Sequence, residues 1–419
     1  MDATKLSQRE TQLSVSEAHT RILQEMGPVA ETELVNIRDA LGRILSEDIF
    51  APFDVPGHTN AAMDGYAIRG EDFLSEGLRE FAVIGAAWAG RPYRGASARM
   101  GEAIQIMTGA VIPKGTDTVL MQEHVQRKGN TLHIDPAHGS ICIKGQHIRA
   151  AGEDLPKGAL VLRAGKRILP SDLGLLASLG IGEIRVKRRL RVAFFCTGDE
   201  LRSIGEPLEE GNIFDSNRYT LYGMLARLGV QMDDLGIVAD RHEAIRQTLQ
   251  QASATSDMVI ATGGVSVGEA DYVKAVLQEL GQVHFWKIAM KPGRPLAFGR
   301  VGAAQFFGLP GNPVAVMVSF YQFVQPALAR MAGEIDPPSA LTLRVPCASR
   351  ISRKLGRTEF MRGILEMGAD GLVVRKTGAQ GSGILHSMSE ANCFLVLSPD
   401  QGTVEPGTLV EVQPFSELV

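Results

Sequence analysis

The chain has 419 residues, more than one hydrophobic core ordinarily supports, so its length predicts roughly two to four domains. Its content of 44% hydrophobic and 21% charged residues and its mean hydropathy of +0.02 are typical of soluble globular proteins. A formal net charge of −4 argues against nucleic acid or a membrane surface as a partner, so any basic site must be local.

The cysteines are widely spaced and include no C-x-x-C pair; they are Cys142, Cys196, Cys347 and Cys393. This spacing argues against a zinc site and favours reduced thiols. The polar N-terminus shows no secretory signal, and no apolar run reaches the roughly 20 residues that span a bilayer. We therefore expect a cytoplasmic protein.

The first predicted elements are helical. Ser14-Val15-Ser16-Glu17 has the pattern of a capping box, and Gly27-Pro28 ends the helix that follows it. A later helix that ends at Gly180 is expected to pack against these N-terminal elements. The sequence therefore predicts a discontinuous N-terminal helical and extended domain, residues 1–54 and 146–186.

Short strands between residues 81 and 143 predict an inserted β-rich domain, residues 55–145. Asp64-Gly65 before an alternating run has the pattern of a hairpin turn, so Asp64 is either a turn residue or part of a site. The loop from Thr108 to Asp117 also allows two interpretations. Its glycines and proline suit turns, whereas the hydroxyls of Thr108 and Thr116 suit a polar ligand.

Apolar runs and amphipathic stretches alternate regularly after Lys187-Arg188-Arg189, a basic run that we interpret as a solvated linker rather than a nucleic-acid contact. The alternation predicts a central αβα domain with a mainly parallel sheet, residues 187–334. Pro313 is expected to begin a long helix and Pro326 to bend or interrupt it. Short strands after Pro337-Pro338 predict a C-terminal β-barrel-like domain, residues 335–419.

Three apolar runs between residues 257 and 317 each end in a glycine- or proline-rich loop. Because the carboxyl ends of strands form the ligand crevice of an open α/β sheet, these loops predict an anion site. The first loop is neither a P-loop nor a dinucleotide fingerprint, but its backbone amides can converge on phosphate. The candidate anion ligands are Gly263, Gly264, Ser266, Gly268, Lys287, Lys291 and Arg294. For the cations, a solvated basic edge is the alternative interpretation.

Three carboxylates fall at strand ends or helix starts of the same domain: Glu200, Asp240 and Asp271. Together they would hold Mg²⁺ against phosphate oxygens, which favours metal-assisted phosphoanhydride chemistry. Taken singly, each of these carboxylates is better explained as a helix cap. None of the nine histidines has the spacing of a nucleophilic triad or of an H-E-x-x-H site.

An ordered set of motifs resembles the molybdopterin molybdenumtransferase family, the molybdenum insertases, which are related to the E domain of gephyrin. The motifs run from about residue 60 to 315, with Arg362-Gly363 and Gly381-Ser382-Gly383 beyond them. In chain order they are Met63-Asp64-Gly65-Tyr66-Ala67, Met107-Thr108-Gly109-Ala110, Gly152-Glu153-Asp154, Thr197-Gly198-Asp199-Glu200-Leu201, Asp215-Ser216-Asn217-Arg218, Gly263-Gly264-Val265-Ser266-Val267-Gly268, Lys291-Pro292-Gly293-Arg294-Pro295 and Gly308-Leu309-Pro310-Gly311-Asn312-Pro313.

The resemblance implies that adenylylated molybdopterin and molybdate are converted, with Mg²⁺, to molybdenum cofactor and AMP. It also implies an elongated four-part subunit, a homodimer and a molybdopterin adenylyltransferase as a partner. In that family the site lies where the αβα domain of one subunit faces the β domain of the other. The implied catalytic residues are therefore Asp64 and Thr108 from one chain and Glu200, Asp240 and Asp271 from the other.

The resemblance assigns further roles to loop residues. Pro310 and Pro313 would shape the pocket floor, while Arg362 and Ser382 would approach the substrate from the last domain. One departure is Ala61, because the family usually has serine at this place in the motif. Two alternative functions are a molybdopterin adenylyltransferase, usually the αβα domain alone, and a non-catalytic scaffold like gephyrin.

Overall fold

The computed structural model describes residues 12–134, 143–264, 272–335 and 341–415. Three of the predicted site residues, Ser266, Gly268 and Asp271, lie outside the described residues, as does Cys142. Among the described helices, none combines the length and the apolar character that crossing a bilayer requires.

Strands make up much of the described chain. Up to residue 187 they are β1 (Gln12–Leu13), β2 (Thr32–Asn36), β3 (Ile49–Phe50), β4 (Asn60–Ala61), β5 (Gly65–Ile68), β6 (Glu80–Ala87), β7 (Glu102–Ile106), β8 (Thr118–Met121), β9 (Val125–Lys128), β10 (Thr131–Ile134), β11 (Ile148–Arg149), β12 (Leu160–Leu162) and β13 (Glu183–Lys187). Beyond it they are β14 (Arg191–Thr197), β15 (Leu201–Arg202), β16 (Ile213–Phe214), β17 (Gln231–Val238), β18 (Met258–Thr262), β19 (Gly281–Ile288), β20 (Met290–Lys291), β21 (Pro295–Val301), β22 (Ala304–Leu309), β23 (Leu343–Pro346), β24 (Thr358–Gly368), β25 (Gly371–Lys376), β26 (Cys393–Leu397) and β27 (Leu409–Pro414).

The α-helices follow the same order: α1 (Val15–Glu25), α2 (Gly70–Leu74), α3 (Pro170–Ser178), α4 (Asn217–Arg227), α5 (His242–Thr255), α6 (Tyr272–Leu280), α7 (Pro313–Ser319), α8 (Gln325–Met331) and α9 (His386–Glu390). The predicted capping box begins α1, where the Ser14 side chain accepts a hydrogen bond from the Glu17 N–H and the Glu17 carboxylate accepts one from the Ser14 N–H. These bonds satisfy N–H groups that the first helical turn leaves without partners.

The chain forms two compact units. Unit 1 contains the described residues of Met1–Ser46, Gly165–Leu169 and Glu183–Val419, and unit 2 contains those of Glu47–Ala164 and Pro170–Gly182. In unit 1, β13 pairs antiparallel with β2, so the chain returns to its N-terminal part before the large sheet begins. The four predicted domain boundaries remain predictions.

Unit 1 is built on a seven-stranded sheet of order β1-β19-β21-β22-β18-β14-β17. Four of the strand pairs are parallel, as the sequence predicts, and the two pairs that involve β21 are antiparallel. Two antiparallel pairings in succession make β19 parallel to β22. Strands β14, β17, β18, β19 and β22 therefore all end at one edge of the sheet, which we call the carboxyl edge.

The two faces of this sheet are both covered, which explains its continuous apolar strands. Successive strand residues point to opposite faces. Thus Phe194 and Phe307 pack in one apolar cluster with α1, α4 and α7, whereas the adjacent Phe195 and Phe306 pack in a second cluster with α5 and α6. Each fully buried phenylalanine contributes about 1.5–3 kcal/mol relative to an exposed one.

The helix predicted from Pro313 is interrupted, as Pro326 requires. Pro313 occupies the first turn of α7, and a π-helical turn, Phe320–Val324, joins α7 to α8. Pro326 then lies in the first turn of α8. A proline inside a regular helix removes one hydrogen bond and clashes with the preceding turn, and the wider π-helical turn accommodates it here.

The C-terminal part of unit 1 is a second sheet, of order β20-β24-β26-β27-β23, with β25 on β24. Its core contains Val345, Leu395 and Val410. Strand β20 lies two residues after β19 and pairs parallel with β24, with Lys291 opposite Glu359. The predicted Lys291 loop is therefore attached to both sheets of unit 1.

Unit 2 contains a six-stranded sheet of order β8-β5-β7-β6-β10-β9, which agrees with the predicted β-rich insertion. Asp64 precedes β5, whose first residue, Gly65, pairs with Ile106 of β7 and with Met121 of β8. The hairpin-turn interpretation of Asp64 is therefore wrong. A Cβ on Gly65 would lie 1.8 Å from the Leu120 carbonyl oxygen, so this pairing requires glycine.

Candidate functional site

The carboxyl edge of the large sheet carries a group of carboxylates. Glu200 follows β14 and Asp240 follows β17, and these neighbouring parallel strands pair up to Thr197 and Val238. Burial raises the pKa of Asp240 above its ordinary value, and the charges of Asp199 and Glu200 raise it further. The Asp240 Oδ1 atom is buried and has no hydrogen-bond partner among the described residues.

These carboxylates have some of the features of a cation site but not all of them. Repulsion among them and the unpartnered oxygen of Asp240 form an environment that a cation relieves. Asp199 was absent from the predicted site, although it precedes Glu200 in the same motif. The described residues contain no group of three or more His, Cys, Asp or Glu side chains placed to hold a metal ion. The third predicted ligand, Asp271, lies outside the described residues.

The glycine-rich loop begins directly after β18. Gly263 and Gly264 have φ angles of 82° and 63°, in the left-handed region that favours glycine. A Cβ on Gly263 would lie 2.1 Å from the Thr197 carbonyl oxygen, and one on Gly264 would lie 2.5 Å from Val273 Cγ2. The loop therefore lies directly on the end of β14 and the start of α6, which larger residues would prevent.

The loop after β22 lies beside the glycine-rich loop. A Cβ on Gly311 would be 3.9 Å from Gly263 Cα, and the Asn217 side-chain amide donates a hydrogen bond of 2.7 Å to the Gly311 carbonyl. Pro310 is buried, and Pro313 is half-buried at the start of α7. The two prolines therefore lie at this edge, and their role in shaping the pocket floor stays a prediction.

A buried polar group lies under these loops. Asp215 and Asn217 are 2% and 6% exposed, yet Asp215 Oδ2 and Asn217 Oδ1 have no hydrogen-bond partner among the described residues. The carboxylate of Asp215 interacts with the Cys196 thiol, whose pKa burial raises. Buried oxygens without protein donors are completed by ordered water or by a ligand. Sequence reasoning included Asp215 and Asn217 in a motif but did not assign them to the site.

The predicted cations lie at the same edge. Lys287 lies near the end of β19, Arg294 is exposed in the loop before β21, and the Lys291 ammonium is 3.6 Å from Glu359 Oε1. The Lys291 side chain is 53% exposed, whereas Glu359 is buried. The buried carboxylate thus holds the Lys291 ammonium at this place, while about half of the lysine side chain stays exposed and accessible to an anion.

Arg362 differs from the predicted substrate contact, because its side chain is 1% exposed. Its Nε donates to Ser387 Oγ and its Nη2 donates to the Gly381 carbonyl, each at 3.0 Å. Burial lowers the pKa of the guanidinium to about 10. The Ser382 carbonyl in turn accepts a hydrogen bond of 3.1 Å from the Val314 N–H at the start of α7. Arg362 therefore supports the loop that carries Ser382.

In unit 2, Asp64 and Thr108 form one hydrogen-bonded pair. The backbone N–H and the hydroxyl of Thr108 both donate to Asp64 Oδ1, each at 2.7 Å. These bonds lower the pKa of Asp64, the backbone bond most. Ala61 is fully buried beside them, with its carbonyl bonded to the Gly109 N–H at 2.8 Å. A hydroxyl at position 61 would therefore lie inside unit 2.

Three family models match the chain. The MoeA N-terminal region (domain I and II) matches residues 13–180, a probable molybdopterin binding domain matches residues 193–330, and the MoeA C-terminal region (domain IV) matches residues 344–415. Together these matches span most of the chain and include both units.

Several known proteins are similar over most of the chain. A molybdopterin molybdenumtransferase of Haemophilus influenzae is 41% identical over 97% of this chain and 100% of its own length. One from Nostoc is 34% identical over 90% of this chain and 87% of its own. Gephyrin of Dictyostelium discoideum is 33% identical over 95% of this chain, which spans 61% of that protein.

A solved structure shows the same fold. The molybdopterin biosynthesis moeA protein of Pyrococcus horikoshii OT3 superposes with a TM-score of 0.83 at 33% identity, covering 96% of this chain and 100% of that one. A second structure, a molybdenum cofactor biosynthesis protein of Pyrococcus furiosus, has a TM-score of 0.60 at 23% identity and supports the fold alone.

Proposed function

The chain belongs to the molybdopterin molybdenumtransferase family and inserts molybdenum in molybdenum cofactor biosynthesis, and we propose that it acts on adenylylated molybdopterin and molybdate with Mg²⁺ and releases AMP. The observation that carries the proposal is the carboxyl edge itself. There, two adjacent glycine- and proline-rich loops, a group of carboxylates and exposed cations occur together.

The buried oxygens under the loops suit a pterin. A pterin ring carries an amino group and a ring N–H, which are hydrogen-bond donors. Asp215 Oδ2 and Asn217 Oδ1 are buried acceptors without partners among the described residues. We therefore assign the pterin end of the substrate to this polar group, with Pro310 and Pro313 shaping the floor of the pocket.

The phosphate end of the substrate fits the glycine-rich loop and the cations. Gly263 and Gly264 pack against Thr197 at the end of β14 because neither has a side chain, and the backbone amides of such glycine-rich loops bind phosphate oxygens. Lys291 and Arg294 supply positive charge to phosphate or to molybdate. Lys287 has the same role in this proposal.

Glu200 and Asp240 are the described residues that would hold Mg²⁺, with Asp199 beside them. When bound, Mg²⁺ would neutralise the phosphoanhydride oxygens. The pKa of Asp240 is raised first by burial and then by the charges of Asp199 and Glu200, and both causes disfavour its ionised form in the absence of a cation. Asp271 remains the proposed third ligand.

In the proposed reaction, an oxygen of molybdate attacks the adenylyl phosphorus, and the bridging P–O bond breaks with its electron pair left on the pterin phosphate. The two dithiolene sulfurs then bond to molybdenum and displace two of its oxygens. One of these oxygens leaves as part of AMP, and the other leaves as water with the two thiol protons, so molybdenum keeps its oxidation state. The chain's own groups bind the substrate, orient it and stabilise charge, which supplies most of the rate in phosphoryl transfer. Asp64, kept ionised by Thr108, is proposed to act on the same substrate.

We also propose a homodimer in which Asp64 and Thr108 of one chain complete the site of the other. The test mixes two inactive variants, Asp64→Ala and Asp240→Ala, so that heterodimers form. If the proposal is right, mixing restores a fraction of AMP release, because one site of each heterodimer is intact. Mixed variants that stay as inactive as the separate ones would refute the shared site.

The reaction is tested with purified protein, adenylylated molybdopterin, molybdate and Mg²⁺. AMP release should require all three additions and should fall by at least about 100-fold in Asp240→Ala and in Asp271→Ala. Parental turnover in both variants would show that the site is wrong. Competition between molybdate and tungstate in the same assay would identify the preferred oxyanion.

Two alternatives are separated by the same assay. Consumption of ATP with plain molybdopterin would indicate an adenylyltransferase instead. Lack of AMP release would favour a scaffold, a function suggested by the similarity to gephyrin. A cytoplasmic location and a molybdopterin adenylyltransferase partner remain predictions.

A further inference from the structure

Unit 1 contains a large cavity at the edge of the sheet opposite to the site. Its volume is about 1190 Å³, and its lining includes Leu190 and Val230, which immediately precede β14 and β17. The reaction site lies at the other ends of these strands. Because a strand rises about 3.3 Å per residue, the seven residues of β14 place the two regions about 20 Å apart.

The cavity lining is strongly basic, although the chain as a whole carries a net charge of −4. Seven lysine or arginine residues line it and Glu334 is the acidic one among its lining residues; the basic residues are Arg43, Arg167, Lys187, Arg188, Arg189, Arg227 and Arg330. The Lys187-Arg188-Arg189 run, interpreted from sequence as a solvated linker, is thus part of a concave surface.

Some of these cations are neutralised and others are not. Arg167 makes two hydrogen bonds to Glu334, of 3.1 and 2.6 Å, and Arg188 makes two to Asp257, of 2.7 and 2.8 Å. In contrast, Arg189, Arg227 and Arg330 are exposed and form no ion pair with any described acid. Three unpaired guanidinium groups around one cavity are suited to an anion.

The floor of the cavity indicates a ligand with an organic part rather than an inorganic anion alone. Leu23, Leu190 and Leu328 give it an apolar surface, and Tyr321 contributes from the π-helical turn. π-helical turns occur frequently at functional sites. The side-chain carbonyl oxygen of Gln325 is buried in this lining without a hydrogen-bond partner among the described residues, so it can accept a bond from a ligand N–H.

We propose that this cavity is a second binding site, for a nucleotide-sized organic phosphate that carries a ring with N–H donors. The phosphate contacts Arg189, Arg227 and Arg330, and the ring lies on the leucine floor with a donor toward Gln325. Ligand pockets commonly measure about 300–1,000 Å³, so this cavity has room for such a molecule with ordered water.

The probes for the test are ADP and inorganic pyrophosphate, titrated calorimetrically into the full-length protein. ADP should bind in the cavity more tightly than pyrophosphate, because only ADP has a ring. Arg227→Ser/Arg330→Ser should weaken ADP binding by about tenfold or more. Gln325→Leu should weaken ADP binding and leave pyrophosphate binding unchanged.

The matched control is Arg300→Ser/Arg344→Ser, which removes two exposed arginines that do not line the cavity. It should bind both probes as the parent does. Hydrogen exchange should show ADP-dependent protection of α1 and of residues 320–331. AMP release from adenylylated molybdopterin should be unchanged in both double variants, so this proposal and the proposed function fail independently.

Three results would overturn the proposal. One is parental ADP binding by the cavity double variant while its melting temperature stays parental. Another is protection confined to the loops at the carboxyl edge. The third is sedimentation showing that the cavity double variant changes only the oligomeric state, which would make this surface an interface between copies of the chain.

Discussion

Thr108 donates two hydrogen bonds to the same oxygen of Asp64, one from its backbone N–H and one from its hydroxyl. Both bonds favour the ionised carboxylate and lower its pKa. Asp64 therefore carries its charge throughout the neutral range and is a poor proton acceptor there. A role in orienting or electrostatically guiding the substrate fits this better than general base catalysis.

The first prediction concerns this pair. Thr108→Val removes the hydroxyl bond and keeps the backbone bond, so the pKa of Asp64 should rise toward its ordinary value. Carbon-detected NMR titration of the Asp64 carboxyl should show the midpoint at higher pH than in the parent. Thr116→Val is the control, because the Thr116 hydroxyl donates to the Pro113 carbonyl in the same loop. An unchanged midpoint in Thr108→Val would contradict the assignment.

The second prediction concerns Asp240, whose pKa is raised in the folded protein. The folded state therefore binds a proton more readily than the unfolded state, and this contribution to stability is lost as pH rises through the raised pKa. Asp240→Asn should raise the melting temperature of metal-free protein at neutral pH by about 1–2 °C while abolishing AMP release. This gain in melting temperature over the parent should become smaller as the pH falls below the ordinary pKa of aspartate.

Asp234→Asn provides the contrast to that variant. Asp234 lies on β17, the strand that Asp240 follows, but it accepts a hydrogen bond of 2.9 Å from the Arg218 Nε atom. Loss of this partner should lower the melting temperature. Equal effects of the two substitutions would show that Asp240 is not under charge repulsion.

The third prediction concerns Gly263. Gly263→Ala places a Cβ against the Thr197 carbonyl at a left-handed φ, so it should destabilise unit 1 by about 2–4 kcal/mol in urea unfolding. Gly205→Ala shares the positive φ, but a Cβ there would meet no atom within 4 Å. It should cost only about 1 kcal/mol. Similar losses for both variants would exclude the close approach as the cause.

The fourth prediction concerns Arg362. Arg362→Met removes hydrogen bonds to Ser387 and to Gly381, so the buried acceptors lose their donors and stability should fall by about 2–4 kcal/mol. Ser387→Ala removes one of these bonds and should cost about 1 kcal/mol. Because Arg362 supports the Ser382 loop, the KM for molybdate should rise in both variants, and it should rise more in Arg362→Met than in Ser387→Ala. A change in kcat alone would instead indicate direct participation.

Local signals predicted much of the large sheet. Continuous apolar runs gave β14, β18 and β22, and the capping box and Pro313 gave the starts of two helices. Strand β21 escaped prediction because Pro295 and Gly299 interrupt it and resemble a loop. Its stability comes from pairing with β19 and β22 on both sides, and this information is not local.

The sequence predicted which loops share an edge of the sheet, whereas the roles of the site residues remain predictions. The pattern of strand ends predicted that Glu200, Asp240 and Lys291 lie at one edge, and the structure places them there. The sequence did not reveal that Arg362 is buried, because an arginine's burial depends on acceptors that return from about 20 residues away, as with Gly381 and Ser387. Nor did it show that the buried oxygens of Asp215 and Asn217 lack donors, which only three-dimensional packing reveals.

Strand β20 connects the Lys291 loop to the C-terminal sheet. The chain leaves the large sheet at Ile288 and joins the C-terminal sheet at Met290, so a single residue separates the two. Lys291 thus belongs to a strand of the C-terminal sheet, while the residues just before it belong to the large sheet and end at its carboxyl edge. Deleting the C-terminal sheet would therefore release β20, the strand that fixes the position of the Lys291 ammonium relative to the carboxyl edge.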